Sequence, residues 1–194
     1  AFWHDWVPEV PRGEPYDLVH NGDAIDGVHH QSTTQISHNL QDQQRIAEAA
    51  LTPIVKQCKA TGGTYYHIRG SEAHVGKSGE YEERLARTLG AKPNAEGQHA
   101  RYDLWKRVGT QTKRAAAPLV HLLHHVGTTG SAAHEASAVN AELTAEYAEA
   151  ARWHREPPDF VVRSHRHRSI AVDLNSARGY AAAIVTPAWQ GKTP

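Results

Sequence analysis

Hydrophobic and polar residues follow two different periods along this chain. A short apolar run over 17–21 ends in Asn21-Gly22-Asp23, which predicts a buried strand that leads into a loop. From Asn39 to Lys59 the apolar residues recur at helical spacing, with a perturbation expected at Pro53. Gly62 and Gly63 then end the predicted helix. The first third of the chain is therefore predicted to contain a strand, a loop and a helix.

The rest of the chain continues this alternation and finishes with several strands. The pattern predicts helices over 80–89 and 132–153, and strands over 64–69, 101–108, 119–126, 159–164, 169–174 and 180–186. Strands that alternate with helices and are followed by a cluster of strands indicate a layered α/β architecture. Asp23, Gly70, His124 and His165 each lie just past the carboxyl end of a predicted strand, where open α/β sheets gather their ligand sites.

Composition narrows the functional classes. The chain has 194 residues with 21 basic and 21 acidic side chains, so it has no general basic footprint for duplex nucleic acid. It contains no apolar run long enough for a membrane span, and its single cysteine, Cys58, fits a reducing compartment, so we expect a cytoplasmic protein. It also contains 15 histidines, and imidazole is the commonest metal ligand.

Two of the four chemical motifs follow the first two predicted strands. In Gly22-Asp23-Ala24-Ile25-Asp26-Gly27 the glycines permit a tight turn and Asp23 supplies a hard oxygen ligand, although such turns are also common structural features. In Arg69-Gly70-Ser71-Glu72-Ala73-His74 a polar cluster suits a ligand and a general acid. It equally suits a helix start with Ser71 as its cap.

The other two motifs are rich in histidine. His124 and His125 end an apolar strand, and because a strand alternates its faces we expect only one of them to enter a given site. In Ser164-His165-Arg166-His167 the two imidazoles stand at i and i+2, which in an extended turn places them on one side, suited to one metal or two adjacent metals. Both motifs favour metal binding over burial without partners.

In this order the four motifs resemble those of the calcineurin-like metallophosphoesterase superfamily, over residues 18–190. That family carries Asp-x-His, Gly-Asp-x-x-Asp-Gly, Gly-Asn-His-Asp/Glu, a histidine that ends a strand, and Gly-His-x-His. The resemblance implies a single domain over 1–194 with two β-sheets packed face to face, helices outside, and its first strand missing. It also implies hydrolysis of phosphomonoesters or phosphodiesters by a hydroxide that two divalent cations activate, the cations being manganese, zinc, iron or nickel.

The resemblance also implies roles for individual residues. Asp23 would bridge the two cations, His124 and His165 would ligate one of them, and His167 would ligate the other. Ser71, at the position of the family's ligating asparagine, would also belong to the metal site. Asp26 would orient the site, and His74 would protonate the leaving oxygen. The residues expected to bind substrate are Arg69, His29 and Arg166.

Three departures from the family pattern bear on activity. The Asp-x-His pair is expected upstream of the Gly-Asp loop, yet only 21 residues precede Gly22 and His4-Asp5 has the wrong order. With no methionine at position 1, this predicts an N-terminally truncated chain whose first motif lies upstream. Ser71 and Glu72 replace the ligating asparagine and the catalytic histidine of the family, and Ser164 replaces a glycine.

Two other functions therefore stay open from the sequence. A chain that lacks one metal motif could be a non-catalytic metal-binding or scaffolding member of the same fold. It could instead be a nuclease, although the neutral net charge disfavours a large DNA footprint. Hydrolysis of a bis-aryl phosphodiester with added manganese separates an enzyme from a binding protein, and steep salt dependence of DNA binding would indicate a nuclease. The sequence does not indicate an oligomeric state.

Overall fold

The computed structural model describes residues 5–28, 35–76, 78–110, 116–127, 134–176 and 179–188. The chain divides into two compact units, one that ends at Tyr102 and one that begins at Asp103. Within the described residues each unit contains one β-sheet and its own helices, so the protein is a mixed α/β protein with two sheets.

The first unit is built on a parallel three-stranded sheet in the order β1-β2-β3. Parallel neighbours need crossover connections, and here helices supply them. The strands and helices of this unit are α1 (Val7–Glu9), β1 (Leu18–Asn21), α2 (Leu40–Ala60), β2 (Tyr65–Ile68), α3 (Glu72–Val75), α4 (Glu80–Thr88) and β3 (Ala100–Arg101).

The apolar faces of α2 and α4 form the core of the first unit. Val55 from α2, Leu85 from α4 and Tyr65 from β2 are almost completely buried in one cluster. Asn39 starts α2, since its side-chain oxygen accepts the backbone N–H of Gln41 at 2.9 Å. Pro53 lies inside α2 without ending it. These elements confirm the predicted strand–helix–strand order.

The second unit is a five-stranded mixed sheet in the order β4-β5-β6-β8-β7. Its central strands are parallel to one another, and the two edge strands are antiparallel to their neighbours. A single long helix packs on β7 and β8 through Val139 and Leu143. The elements are β4 (Asp103–Arg107), β5 (Leu119–Leu123), α5 (Glu135–Arg152), β6 (Phe160–Arg163), β7 (Ile170–Ser176) and β8 (Gly179–Val185).

The strand predicted over 101–108 is in fact two strands. Tyr102 interrupts it with 62% of its surface exposed, and the residues on either side pair in different sheets. β3 pairs with β2 in parallel, whereas β4 pairs with β5 in antiparallel fashion. Local hydrophobic alternation indicates a strand but not its partner, so the sequence pattern merged the two.

In the part of the chain that the structure describes, no helix has both the length and the apolar character that crossing a bilayer requires.

A buried ionic network holds the second unit together. Arg163, at the end of β6, is fully buried, and its Nη2 lies 3.0 Å from Glu146 Oε1 while its Nε lies 3.3 Å from Glu142 Oε2. His121 Nδ1 lies 2.7 Å from the same Glu146 oxygen, and its ring stacks on Trp105 at 4.1 Å. Burial alone raises the pKa of Glu146, but contacts with His121 and Arg163 outweigh it and hold that pKa below its ordinary value.

Replacing Arg163 tests this network. Arg163→Met would leave Glu142 and Glu146 without their cation, and removing one partner of a buried ion pair costs about 3–5 kcal/mol. We expect a loss of this size in the free energy of unfolding from urea titration. Arg168→Met is the control, because Arg168 is 60% exposed and its pair with Glu135 should be worth at most about 1 kcal/mol. Equal effects of the two substitutions would contradict the proposed importance of burial.

Candidate functional site

The Gly22-Asp23 loop comes directly after β1 and reaches the loop that follows β2. Asp23 has a left-handed backbone, with φ of 55°, which turns its carboxylate back toward Ser71. Asp23 Oδ1 accepts the Ser71 backbone N–H at 2.8 Å and the Ser71 hydroxyl at 3.2 Å. Asp23 and Ser71, two of the predicted metal ligands, are therefore brought together within the first unit.

Gly70 makes this close approach possible. A Cβ atom at position 70 would lie 2.2 Å from Asp23 Oδ1 and 2.3 Å from the Asp23 backbone nitrogen. No side chain fits at such distances, so the glycine is required for the contact between the two loops. The sequence marked Gly70 only as a residue past a strand, and the structure supplies the reason for its identity.

Glu82, on α4, binds both loops at once. Its Oε1 accepts the backbone N–H of Ala24 at 2.7 Å, and its Oε2 accepts the backbone N–H of Gly70 at 2.6 Å. The side chain is fully buried. We call this pair of hydrogen bonds the Glu82 clamp. It fixes the residue after Asp23 and the residue before Ser71, and the sequence motifs do not predict it.

A buried polar cluster accompanies the clamp. His67 Nε2 lies 3.8 Å from Glu82 Oε1, His67 Nδ1 lies 2.7 Å from the Tyr65 hydroxyl, and the His20 ring stacks on His67 at 4.8 Å. Burial, with a smaller contribution from the charge of Glu82, raises the pKa of Tyr65, so the hydroxyl keeps its proton beside Nδ1.

The balance of these contacts favours the ionised form of Glu82. Burial alone raises the pKa of Glu82, but the His67 contact and the Gly70 N–H outweigh burial and hold the pKa below its ordinary value. An ionised carboxylate accepts both amide hydrogens of the clamp more strongly than a neutral acid does. The clamp is therefore a charge-assisted contact at neutral pH.

His74 lies beside Asp23, where the sequence analysis expected a proton donor. Its Nδ1 is 2.7 Å from the Asp26 carbonyl oxygen, which can only accept, so Nδ1 carries a proton. Its Nε2 faces Asp23 Oδ2 at 3.6 Å. Glu72, two residues earlier in the same motif, is exposed.

Asp26 lies next to this group. Its Oδ1 is 3.9 Å from His74 Nδ1, and its Oδ2 accepts a hydrogen bond from Gln35 Nε2 at 2.7 Å. Gln43, buried on α2, holds the following residue by accepting the Gly27 N–H at 2.7 Å and donating to the Gly27 carbonyl at 3.0 Å. The loop that carries Asp23 and Asp26 is thus fixed at both ends by buried side chains.

In the second unit, His124 and His165 approach each other at the ends of neighbouring strands. β5 and β6 are parallel, so their carboxyl ends meet at the same edge of the sheet. His124 is buried, His165 is half-buried, and each presents a ligand nitrogen within 4.8 Å of the other's. The Ser164 N–H donates to the His124 carbonyl oxygen at 3.0 Å and ties the two turns together.

Two expectations about the histidine motifs are wrong. β5 ends at Leu123, so strand alternation no longer applies to His124 and His125, and both rings lie 5.3 Å from the His165 ring. His165 and His167 have φ of 68° and 56°, so they are not in an extended turn. His167 is exposed and does not share the environment of His165.

The predicted substrate-binding residues have mixed placements. The Arg166 Nη2 donates to the Gly127 carbonyl within its own unit. Arg69 runs beside Gly79, where a Cβ would lie 2.7 Å from the Arg69 Cδ. His29 lies outside the described residues. Both arginines therefore have local structural contacts.

The donor sets differ in how well they fit divalent cations. Two imidazoles that present nitrogens within 4.8 Å of each other fit one borderline cation such as zinc or nickel. Asp23 offers hard oxygen, but the Ser71 hydroxyl already bonds to it, and a hydroxyl is a weaker ligand than the amide oxygen of the family. The set predicted for the other cation, Asp23 and His167, has one imidazole, and that ring is exposed, so it fits less well than the imidazole pair.

Gly70→Ala tests the close approach of the two loops. The new methyl group would meet backbone atoms that cannot yield, and overpacking of this kind typically costs about 1–3 kcal/mol. We expect the upper end of this range in urea unfolding. Gly127→Ala is the control, because the nearest atom to its added Cβ is Glu142 Oε1 at 3.6 Å, an ordinary contact. A Gly70→Ala protein as stable as the wild type would rule out the proposed contact.

Glu82→Gln tests the clamp. The oxygen of the glutamine amide can accept one of the two N–H groups, but its NH2 group would face the other N–H, and two donors form no hydrogen bond. We therefore expect the free energy of unfolding to fall by about 2–3 kcal/mol near neutral pH. Because the folded pKa of Glu82 is lowered, its stabilisation is present above the unfolded pKa of about 4.3 and is lost as pH falls through the folded value. The difference between the wild type and Glu82→Gln should therefore shrink below about pH 4.3.

Glu83→Gln is the matched control for this measurement. Glu83 also accepts two backbone amides, from His99 at 2.9 Å and Ala100 at 2.7 Å, but these belong to the approach to β3. It is 27% exposed, so we expect a smaller loss than for Glu82. A stability difference between wild type and Glu82→Gln that is independent of pH would contradict an ionised clamp.

Comparison with known proteins adds no relative to this description. No protein-family model matches the sequence, and no curated protein matches it. The assignment of the site therefore depends on the order of the motifs, on the strand ends that carry them, and on the geometry within each unit.

Proposed function

We propose that this chain is a metal-dependent phosphoesterase that hydrolyses phosphomonoesters or phosphodiesters. Four motifs in the family's order support this proposal, because Asp23, Gly70, His124 and His165 all follow strand carboxyl ends. The fold of that family, two β-sheets packed face to face with helices outside, is part of the proposal.

The observation that carries the proposal is the imidazole pair of His124 and His165. His124 is buried and His165 half-buried, and their rings present ligand nitrogens within 4.8 Å of each other. Such a pair at the ends of parallel strands suits manganese, zinc, iron or nickel. A divalent cation held there would generate a nucleophile from water near neutral pH and neutralise charge on phosphoryl oxygens.

The other residues would orient the substrate and move a proton. Asp23 supplies a carboxylate whose position is set by Ser71 and by the Glu82 clamp. His74 holds its Nδ1 proton against the Asp26 carbonyl, which aims Nε2 toward Asp23, so a ring protonated on both nitrogens would give its Nε2 proton to the leaving oxygen. Asp26 is a positioning residue through this carbonyl and its bond to Gln35.

A non-catalytic metal-binding protein is the second candidate. The observation that favours it is Ser71, whose hydroxyl bonds to the Asp23 carboxylate at the position of the family's asparagine. A protein of this kind would keep the imidazole pair and bind a single cation without turnover. The neutral net charge continues to disfavour a nuclease with a large DNA footprint.

Hydrolysis of bis(4-nitrophenyl) phosphate and 4-nitrophenyl phosphate tests the proposal. The full chain, stripped with EDTA and reloaded with manganese or zinc, should hydrolyse at least one of them. Asp23→Asn should lower kcat/KM about 100-fold or more, because metal-ion stabilisation of a transition state is worth several kcal/mol. Asp173→Asn, which changes an exposed aspartate on β7, is the control and should leave the rate unchanged.

Two results would overturn the phosphoesterase assignment. One is cation binding by the wild type without hydrolysis of either ester, which supports the metal-binding protein instead. The other is equal activity of the wild type and Asp23→Asn, which removes the carboxylate from the mechanism.

A further inference from the structure

Three histidine rings surround one point in the second unit. The centroids of His124 and His125 are 5.3 Å apart, those of His124 and His165 are 5.3 Å apart, and those of His125 and His165 are 5.3 Å apart. The rings thus form an equilateral triangle. The family resemblance accounts for His124 and His165 but gives no role to His125.

The size of the triangle matches a shared metal ion. Tetrahedral zinc lies about 2.0–2.1 Å from each imidazole nitrogen, which places ring centroids about 3.2 Å from the ion and about 5.2 Å from one another. Rotation about χ2 moves the ring nitrogens but leaves the centroid nearly in place, and that torsion is broad in histidine. The three centroid separations are therefore those expected for three rings around one ion, and rotation of the rings about χ2 would turn their nitrogens toward it.

The local backbone explains how three rings meet. The end of β5 at Leu123 releases His124 and His125 from strand alternation. The Ser164 N–H bond to the His124 carbonyl holds the two turns together. His165 then takes a left-handed backbone with φ of 68°, a conformation that costs a non-glycine residue of order 1–3 kcal/mol and tends to persist at functional sites.

We propose that His124, His125 and His165 form a three-imidazole site for a borderline divalent cation. Three neutral nitrogen donors favour zinc, cobalt, nickel or copper over magnesium and calcium, which prefer oxygen. Three is also the number of protein ligands in catalytic zinc sites. The inference rests on the proposed function only for the assignment of His124 and His165 to a cation. It deepens that function by adding His125 as a ligand and by narrowing the range of metals that the site would bind.

Zinc affinity of the full chain, measured by competition with a chromogenic chelator, tests the inference. His125→Ala should weaken zinc binding at least 10–100-fold, since loss of a ligand should cost no less than loss of a residue that only orients one. His154→Ala removes an exposed histidine of the same unit and should bind zinc as the wild type does. Unchanged zinc affinity in His125→Ala would overturn the inference. Urea unfolding of each metal-free variant verifies that it is folded.

Zinc K-edge X-ray absorption of the wild-type protein gives an answer that does not depend on any variant. Scattering from three imidazoles is expected, and scattering from two or fewer would overturn the inference.

Asp23→Asn separates this inference from the proposed function. If zinc binds through three imidazoles but the protein hydrolyses no phosphoester, the three-imidazole site is supported and the phosphoesterase assignment is ruled out. If hydrolysis requires Asp23 but His125→Ala leaves the zinc affinity unchanged, the phosphoesterase assignment is supported and the three-imidazole site is ruled out.

Discussion

The Glu82 clamp is the interaction on which the first half of the candidate site depends. One fully buried carboxylate accepts the amides of Ala24 and Gly70, and these residues adjoin Asp23 and Ser71. Loops at strand ends are ordinarily among the more mobile parts of a protein, and chemistry at a carboxylate needs its position fixed. A buried ionised group achieves this because both of its oxygens must find donors, and here the donors are the two loops themselves. The clamp also ties α4 to the loops that follow β1 and β2.

In the second unit, a different buried interaction fixes the residues at the strand ends. A buried arginine at the end of β6 joins the strand to α5 through two glutamates, and the histidine motif begins at the very next residue. Each unit therefore has a buried charged side chain next to the residues proposed for chemistry. Glu82 bonds to the neighbours of Asp23 and Ser71, and Arg163 directly precedes Ser164. Glu82 has the loop amides and His67 of β2 as partners, and Arg163 has Glu142 and Glu146 of α5, and such partners are the condition under which a buried ion is tolerated. These networks fix the positions of the candidate ligands.

The sequence predicted the parts of this structure that have local signals. Strand ends followed by Gly-Asp or by histidine were visible in the hydrophobic pattern, and the strand–helix order followed from periodicity. Glu82 was missed because it lies among Glu80 and Glu83, both of which pair with arginines on the exposed surface of α4. Its spacing to Leu85 and Ala86 on the buried face was the available signal. His124 and His125 were expected on opposite faces because the strand was taken to continue to Val126, whereas β5 ends at Leu123. The pairing of β3 and β4 in different sheets is nonlocal information.

Anomalous diffraction at the zinc edge, from crystals of the full chain grown with zinc, tests the central claim that the strand-end histidines hold a divalent cation. The account predicts an anomalous peak within bonding distance of ring nitrogens of both His124 and His165. A map with no peak beside these two rings, or with zinc bound only by histidines elsewhere on the surface, would contradict it.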